Sequence, residues 1–293
     1  MEITSINFQK TQSLGRKNAR LAFLLALPAI ILIALVVAYP IGFSVVKSFT
    51  TREGYSLKNY KSILSDNSFS FTLLNTIKFT LIIVIIELVI GLIVALCLQN
   101  IKIRNSFRAL FTIPLLVSPV VSSYAWMWLL NDQYGLISHI LKFMKITPPL
   151  WLANPNWAFI SIVIVDMWIA TPFVIIVFQS ALASLPKSPY ESAEIDGASS
   201  IQKFRYLTLP FLKPAFLVIL TIRTMDVFRI YDSIVVLTGG GPGNATMSLS
   251  LLAFRTGITF GNLKGGSAMS LLMTIPLFIA TIICIRAIFK DEI

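Results

Sequence analysis

The segment SPYESAEIDGASSIQKFRYLTLP, Ser188 to Pro210, is a polar island between two long apolar runs. Ser188-Pro189-Tyr190-Glu191 predicts a capping box, with Ser188 accepting from the amide near Glu191, Glu191 reaching back, and Pro189 placed where no amide is missed. Ser199-Ser200-Ile201-Gln202 repeats the pattern one short helix later. Between them, Gly197 can take the left-handed backbone that ends a helix and turns the chain. The expected product is a compact helix-turn-helix elbow over 188–210, with Glu191, Glu194 and Asp196 near its tip.

The runs on either side set the class. With 56% hydrophobic and 13% charged residues and a mean hydropathy of +0.81, the chain is too apolar for a soluble globule and reads as a polytopic membrane protein. An excess of 24 basic over 13 acidic side chains would suggest nucleic acid in a soluble protein. Here the positive-inside bias accounts for it. Cys97 and Cys284 both fall in apolar segments, which argues against a disulfide framework, and a single His139 with no Cys/His cluster offers no metal site.

Six spans are expected, at about 21–46, 75–98, 107–130, 158–182, 214–237 and 267–285, which makes this an all-α membrane protein. Residues 1–20 form a basic N-terminal segment. The uncharged run from Leu21 to Val46, about 39 Å of helix, is longer than a signal-peptide core and reads as a retained anchor. Lys and Arg are densest in the N-terminus, the second and fourth loops and the C-terminus, which puts both termini and the elbow in the cytoplasm. Lys78 can snorkel to the outer surface, whereas Glu87, mid-span, must face protein, as a structural partner in the bundle or as a substrate contact. Pro114 and Pro119 fall inside the third span. Residues 131–157 read as an outer loop with Trp151 and Trp157 at interface positions.

The fifth span carries Arg223, Asp226, Arg229 and Asp232, alternating in sign at every third position, so each can pair with the next. A three-residue step drifts by about 60° around the axis, so one face holds the first two or three and not all four. The run Thr238-Gly239-Gly240-Gly241-Pro242-Gly243 lacks the G-K-[ST] ending of a phosphate-binding loop. No ATP chemistry is expected in this chain.

The elbow resembles the cytoplasmic coupling loop of ABC-importer membrane subunits, with Glu191, Ser192 and Ala193, then Asp196-Gly197-Ala198, then Gln202, Phe204 and Leu209-Pro210 in order. Ser192 replaces an alanine there, and both are small. The LTGGGP element (237–242) and DMWIATPF (166–173) resemble the maltose and glycerol-phosphate sugar permeases, the carbohydrate branch of that family. The resemblance implies a type I ABC transmembrane domain over 21–290, in the bacterial cytoplasmic (inner) membrane. It implies a non-catalytic permease subunit of an ATP-driven carbohydrate importer working by alternating access. The expected partners are a second, homologous permease, a homodimeric ATPase that holds the ATP and Mg, and an extracytoplasmic solute-binding protein. This chain itself binds no cofactor.

Carried over from the maltose permease, the sugar-contacting positions fall on Asp166, Ile169, Ala170 and Phe173 and on Arg223, Asp226, Val227 and Ile230. Each set spans i, i+3, i+4 and i+7, one helical stripe. Where that permease has neutral polar groups this chain has Asp166 and Arg223, which leaves open neutral sugars, polyols or a uronate-bearing oligosaccharide whose carboxylate would meet Arg223. The rival from another class is an ion-coupled secondary transporter using Glu87, Asp166 and Asp226 as a relay, although the two related halves usual in such carriers are not visible.

Overall fold

The computed structural model describes residues 19, 21–51, 54–99 and 105–289. The rest of the N-terminal segment 1–20, the basic turn at Lys102 and Arg104, and residue 290 lie outside the described residues, as do the side chains of Arg108 and Cys284. The described chain is helical apart from its connections. Helix α1 (Leu21–Phe49), α3 (Asn67–Gln99), α7 (Pro155–Ala183) and α13 (Leu263–Phe289) are long and apolar enough to cross a membrane. Shorter helices lie between them: α2 (Lys58–Leu64), α4 (Asn105–Leu116), α5 (Pro119–Leu129), α6 (Leu136–Phe143), α8 (Ser188–Ile195), α9 (Ser200–Lys203), α10 (Lys213–Phe228), α11 (Asp232–Leu237) and α12 (Leu249–Thr259).

The centre of the bundle is α3, α7 and α10. Helices α3 and α7 run parallel, because Phe79 stacks on Phe159 at 4.2 Å while, further along both, Gly91 meets Val174 and Ala95 shares a core cluster with Phe178. Helix α10 returns antiparallel: Leu212 packs with Leu182, Phe216 with Phe178 at 4.7 Å, and Arg223 reaches back to Asp166. Helices α13 and α1 stack outside α10, and α4, α5 and α11 lie against α7. Helix α1 leaves its apolar side chains exposed, as a lipid-facing helix must.

Two predicted spans are broken. The third divides at Ser118, whose extended backbone (φ −55°, ψ 136°) lets Pro119 start α5 instead of kinking a continuous helix; a residue before proline is pushed out of the helical region. The fifth divides at Arg229–Tyr231, where Tyr231 leaves helical geometry (φ −138°, ψ −56°). Ser248, fully buried, donates to the carbonyl of Ile230 freed there, at 2.8 Å, which satisfies a group that lipid could not. The second span begins at Asn67, well before residue 75, because Asn75 and Thr76 bind protein: Asn75 donates to the Ala245 carbonyl at 3.0 Å and Thr76 accepts from the Leu249 amide at 2.9 Å. Trp151, expected at an interface, is buried in the core; its indole N–H donates to Ser138 Oγ at 3.2 Å.

A π-helical turn precedes proline twice, Ala34–Ala38 before Pro40 and Phe204–Thr208 before Pro210. Proline lacks an amide and crowds the carbonyl four residues back, and the wider turn relieves that crowding. A Cβ on Gly91 would stand 2.5 Å from Val174 Cγ1 and 3.0 Å from Val174 Cβ, so the α3–α7 spacing depends on a missing side chain, as small residues permit between membrane helices. Gly91→Leu should therefore destabilise the purified protein by about 1–3 kcal/mol in thermal unfolding. Gly91→Ala should cost less, and less again in a Val174→Ala background.

Candidate functional site

The middle of the bundle holds one guanidinium between carboxylates from three helices. Arg223 of α10, buried, donates from Nε to Glu87 Oε2 at 2.7 Å and from Nη2 to Glu87 Oε1 at 2.9 Å. Its Nη2 also donates to Asp166 Oδ2 of α7 at 2.7 Å. Nη1 lies 3.7 Å from Asp226, which in turn pairs with Arg229 at 3.4 Å. Glu87 is fully buried on α3. A bidentate guanidinium–carboxylate pair suits such a site because both ions saturate their hydrogen bonds together. Lys78 is exposed on another part of α3 and does not meet Glu87.

Next to this clasp is a cavity of about 410 Å³ lined by Asp166, Ile169, Ala170, Arg223, Asp226 and Ile230, and also by Pro119, Arg229, Tyr231, Asp232 and Ser233. Six of the eight predicted path residues thus surround one space. Val227 does not: it is 1% exposed and points into the core with Phe79 and Ile83. Phe173 also points elsewhere, packing against the cluster of Val174, Phe178 and Leu212. The i+7 step in one stripe and the i+4 step in the other rotate these two off the cavity face. The charge ladder is realised only in part. Among the described residues no ion pair joins Arg229 to Asp232, because the helix ends between them and Asp232 starts α11.

The break in the fifth span is what opens the cavity. It brings in Tyr231 and Ser233, which the sequence reading did not select, and Asp232, so that all four ladder charges line one space where an unbroken helix would place two or three. The four consecutive residues from Arg229 to Asp232, three of them polar or charged inside an apolar run, were the available signal. Ser123 of α5 donates to Ser233 Oγ at 3.3 Å and ties the new segment down. Among the described residues, no three His, Cys, Asp or Glu side chains gather as a metal would need.

The elbow forms a second surface. Helix α8 begins one residue earlier than expected: Lys187 is already helical, the Glu191 amide donates to its carbonyl at 3.0 Å, and the Ser188 capping box does not form. The Ser199–Gln202 box is present in both directions. Gly197 has φ +76°, and the bonds Ala198 N to Ala193 O and Gly197 N to Glu194 O close the end of α8 as a Schellman turn. Lys203 bridges to Glu194 at 2.7 Å and the Tyr190 and Thr208 hydroxyls meet at 3.0 Å, so the two short helices are cross-tied. Glu191, Ser192, Asp196, Leu209 and Pro210 are exposed, with Ala193 and Ala198 half-buried. The sequence reading passed over Ile195 and Ile201, 88% and 77% exposed on this polar element.

The glycine run is a packed brace. The Thr238 and Thr246 hydroxyls meet at 2.7 Å, Thr246 donates to the Gly241 carbonyl at 2.7 Å, and Arg255 Nη2 donates to the Gly239 carbonyl at 2.5 Å.

An all-helical bundle with a charged cavity on broken helices and an exposed elbow defines the membrane domain of a transport system. The chain matches the binding-protein-dependent transport system inner membrane component over residues 87–291 and belongs to that family. It is 36% identical to the trehalose/maltose transport system permease protein MalF of Thermococcus litoralis, over 94% of this chain and 96% of that protein. It is 32% identical to the sulfoquinovosyl glycerol transport system permease protein SmoG of Agrobacterium fabrum, over 95% and 92% of the two chains. Its fold matches a chain of a bacterial alginate ABC transporter, solved with an alginate pentasaccharide-bound periplasmic protein, with a TM-score of 0.81 at 19% identity, covering 92% and 93%. The chain is thus a multi-pass cytoplasmic-membrane permease with the ABC-importer fold, and the ion-coupled alternative is set aside.

Arg223→Met leaves two carboxylates facing an emptied site and should cost about 3–5 kcal/mol in unfolding of the purified protein. The Arg223→Met/Glu87→Leu double variant should recover most of that loss. In the elbow, the hydrogen bond and charge of Lys203 hold the Glu194 carboxyl below its ordinary range. That tie is present above the unfolded glutamate value, about 4.3, and is lost as pH falls through the lowered one. Hydrogen exchange across 188–211, corrected for intrinsic rates, should stay flat from neutral pH to about 5 and rise only below it; Lys203→Gln should abolish the rise.

Proposed function

We propose that this chain is the permease subunit of an ATP-driven importer for a neutral carbohydrate, and that the sugar passes through the cavity beside Arg223. One observation carries the preference for a neutral substrate: the guanidinium that would greet an anion is already held by Glu87 and Asp166. With Arg223 neutralised from behind by Glu87, the remaining wall is Asp166, Asp226 and Asp232 against Arg229. Carboxylates there accept hydrogen bonds from sugar hydroxyls and repel a uronate. The trehalose/maltose naming of one relative agrees with this reading, whereas a structural neighbour is involved in the import of the acidic polysaccharide alginate.

In the proposed topology the chain crosses six times, with α4/α5 and α10/α11 each crossing as a broken pair, and both termini and the elbow are cytoplasmic. The elbow docks on one subunit of a homodimeric ATPase that binds ATP and Mg. Its exposed Ile195 and Ile201 support this, since bare aliphatic side chains on a polar element mark a partner site. A second homologous permease completes the path, and a solute-binding protein delivers sugar at the opposite end. Both helices that leave the elbow, α7 and α10, carry cavity charges. The Glu87–Arg223–Asp166 clasp makes them move with α3 as one body during alternating access.

In the transporter reconstituted with its ATPase and binding protein, neutral disaccharides should compete for uptake and uronate oligomers should not. Asp226→Asn should lower uptake about tenfold or more, the worth of one charged hydrogen bond, with sugar affinity of the binding protein unchanged. Ile195→Asp should leave the protein in the membrane and remove sugar-stimulated ATP hydrolysis. Uptake at the wild-type rate in either variant would refute the role given to that residue.

A further inference from the structure

At the end of the bundle away from the elbow, α1, α2 and α13 enclose a cavity of about 760 Å³ that the transport path does not use. Its wall includes Lys47 from the last turn of α1, Lys58 from the start of α2 and Lys264 from the first turn of α13. The other described lining groups are Asn, Ser, Thr, Gly and Leu, with no carboxylate among them. Lys47 and Lys264 are half-buried, and the Lys47 ammonium lies 5.2 Å from the centre of the Phe43 ring.

The walls are fixed by bonds of their own. Asn59 Nδ2 donates to the carbonyls of Ser48 at 2.8 Å and Thr50 at 3.1 Å, pinning the start of α2 to the end of α1. The Tyr60 hydroxyl donates to Ser48 Oγ at 2.7 Å, and the Tyr60 ring packs on Phe49 at 5.2 Å. Asn262 accepts from the Gly265 amide at 3.0 Å and so caps α13, whose positive end faces the same space.

We propose that this cavity binds the phosphate of an anionic phospholipid headgroup. Lys47, Lys264 and the helix end supply the charge. The surroundings select a lipid over a free anion: α1 has many exposed apolar side chains, and Phe43, Leu57, Phe260 and Leu263 are exposed next to the lysines. Exposed aromatic and aliphatic groups at the level of a basic pocket belong at the headgroup–acyl boundary. A lipid held there would bridge the end of α1 and the start of α13, which already pack on each other.

The test uses the assembled transporter purified from a mixture of zwitterionic and anionic phospholipid, with retained lipid counted by native mass spectrometry. Wild type should keep anionic lipid preferentially, Lys47→Gln/Lys264→Gln should lose at least fivefold of that retention, and Lys47→Arg/Lys264→Arg should restore it. Equal retention by the Gln and wild-type proteins would overturn the proposal. Two other results would reassign the pocket. In one, inorganic phosphate alone raises the unfolding temperature of the delipidated wild type but not of the Gln variant, which means a free-anion site. In the other, the Gln variant loses affinity for the solute-binding protein at unchanged lipid retention, which means a protein-docking surface.

Discussion

Everything at the centre of this molecule follows from the need to neutralise the buried Arg223 guanidinium. A lone guanidinium in a hydrocarbon-like interior is too costly to keep, and the pairing found for it joins three helices: Glu87 on α3 and Asp166 on α7 close around Arg223 on α10. The bonds require Glu87 and Asp166 at one depth, which the parallel run of α3 and α7 provides, and an antiparallel α10 that brings residue 223 to the same level. Close packing of Gly91 on Val174 lets the carboxylates stand near enough to share one partner. Charge pairing and backbone approach are therefore one constraint seen twice.

The cavity is a by-product of broken helices. A continuous fifth span would carry Arg229 and Asp232 along its surface and leave no room beside Asp166. The interruption at Arg229–Tyr231 opens space, and the polar backbone it frees is taken up by Ser248, while Ser123 and Ser233 join α5 to the far half. Irregular backbone at membrane depth is tolerated only where protein or a cavity receives it, and both conditions are met here. The glycine-rich turn fixes the far end of this arrangement through Thr246 and Arg255.

Much of this was legible in the sequence. Helical class, the long apolar runs and the elbow's second capping box follow from composition and local spacing, and intramembrane charges pointed to the right helices. Three things were not legible because they depend on partners distant in sequence. Glu87 has no neighbour on its own helix that marks Arg223 as its mate. Val227 and Phe173 share the spacing of true cavity residues, and only the packed rotation of α10 and α7 turns them away. Trp151 reads as an interfacial anchor until Ser138, thirteen residues earlier, is folded back to receive its indole N–H. The Ser188 cap failed for a local reason, since nothing in Lys187 prevents the helix from starting one residue sooner.

In the proposed function the same clasp is the mechanical unit of the transport cycle. From its elbow-side end at Ala183, α7 runs about 26 Å to Asp166, and from its start at Lys213, α10 runs about 15 Å to Arg223, so both arms that leave the elbow reach the same ion cluster. The most direct measurement is the distance between spin labels at Ile176 on α7 and Val218 on α10, read by pulsed electron resonance in the full transporter with and without ATP. The account predicts that this distance stays fixed while distances to the partner permease change. A shift of several ångströms between the two labels would contradict it, since the clasped helices would then be separating.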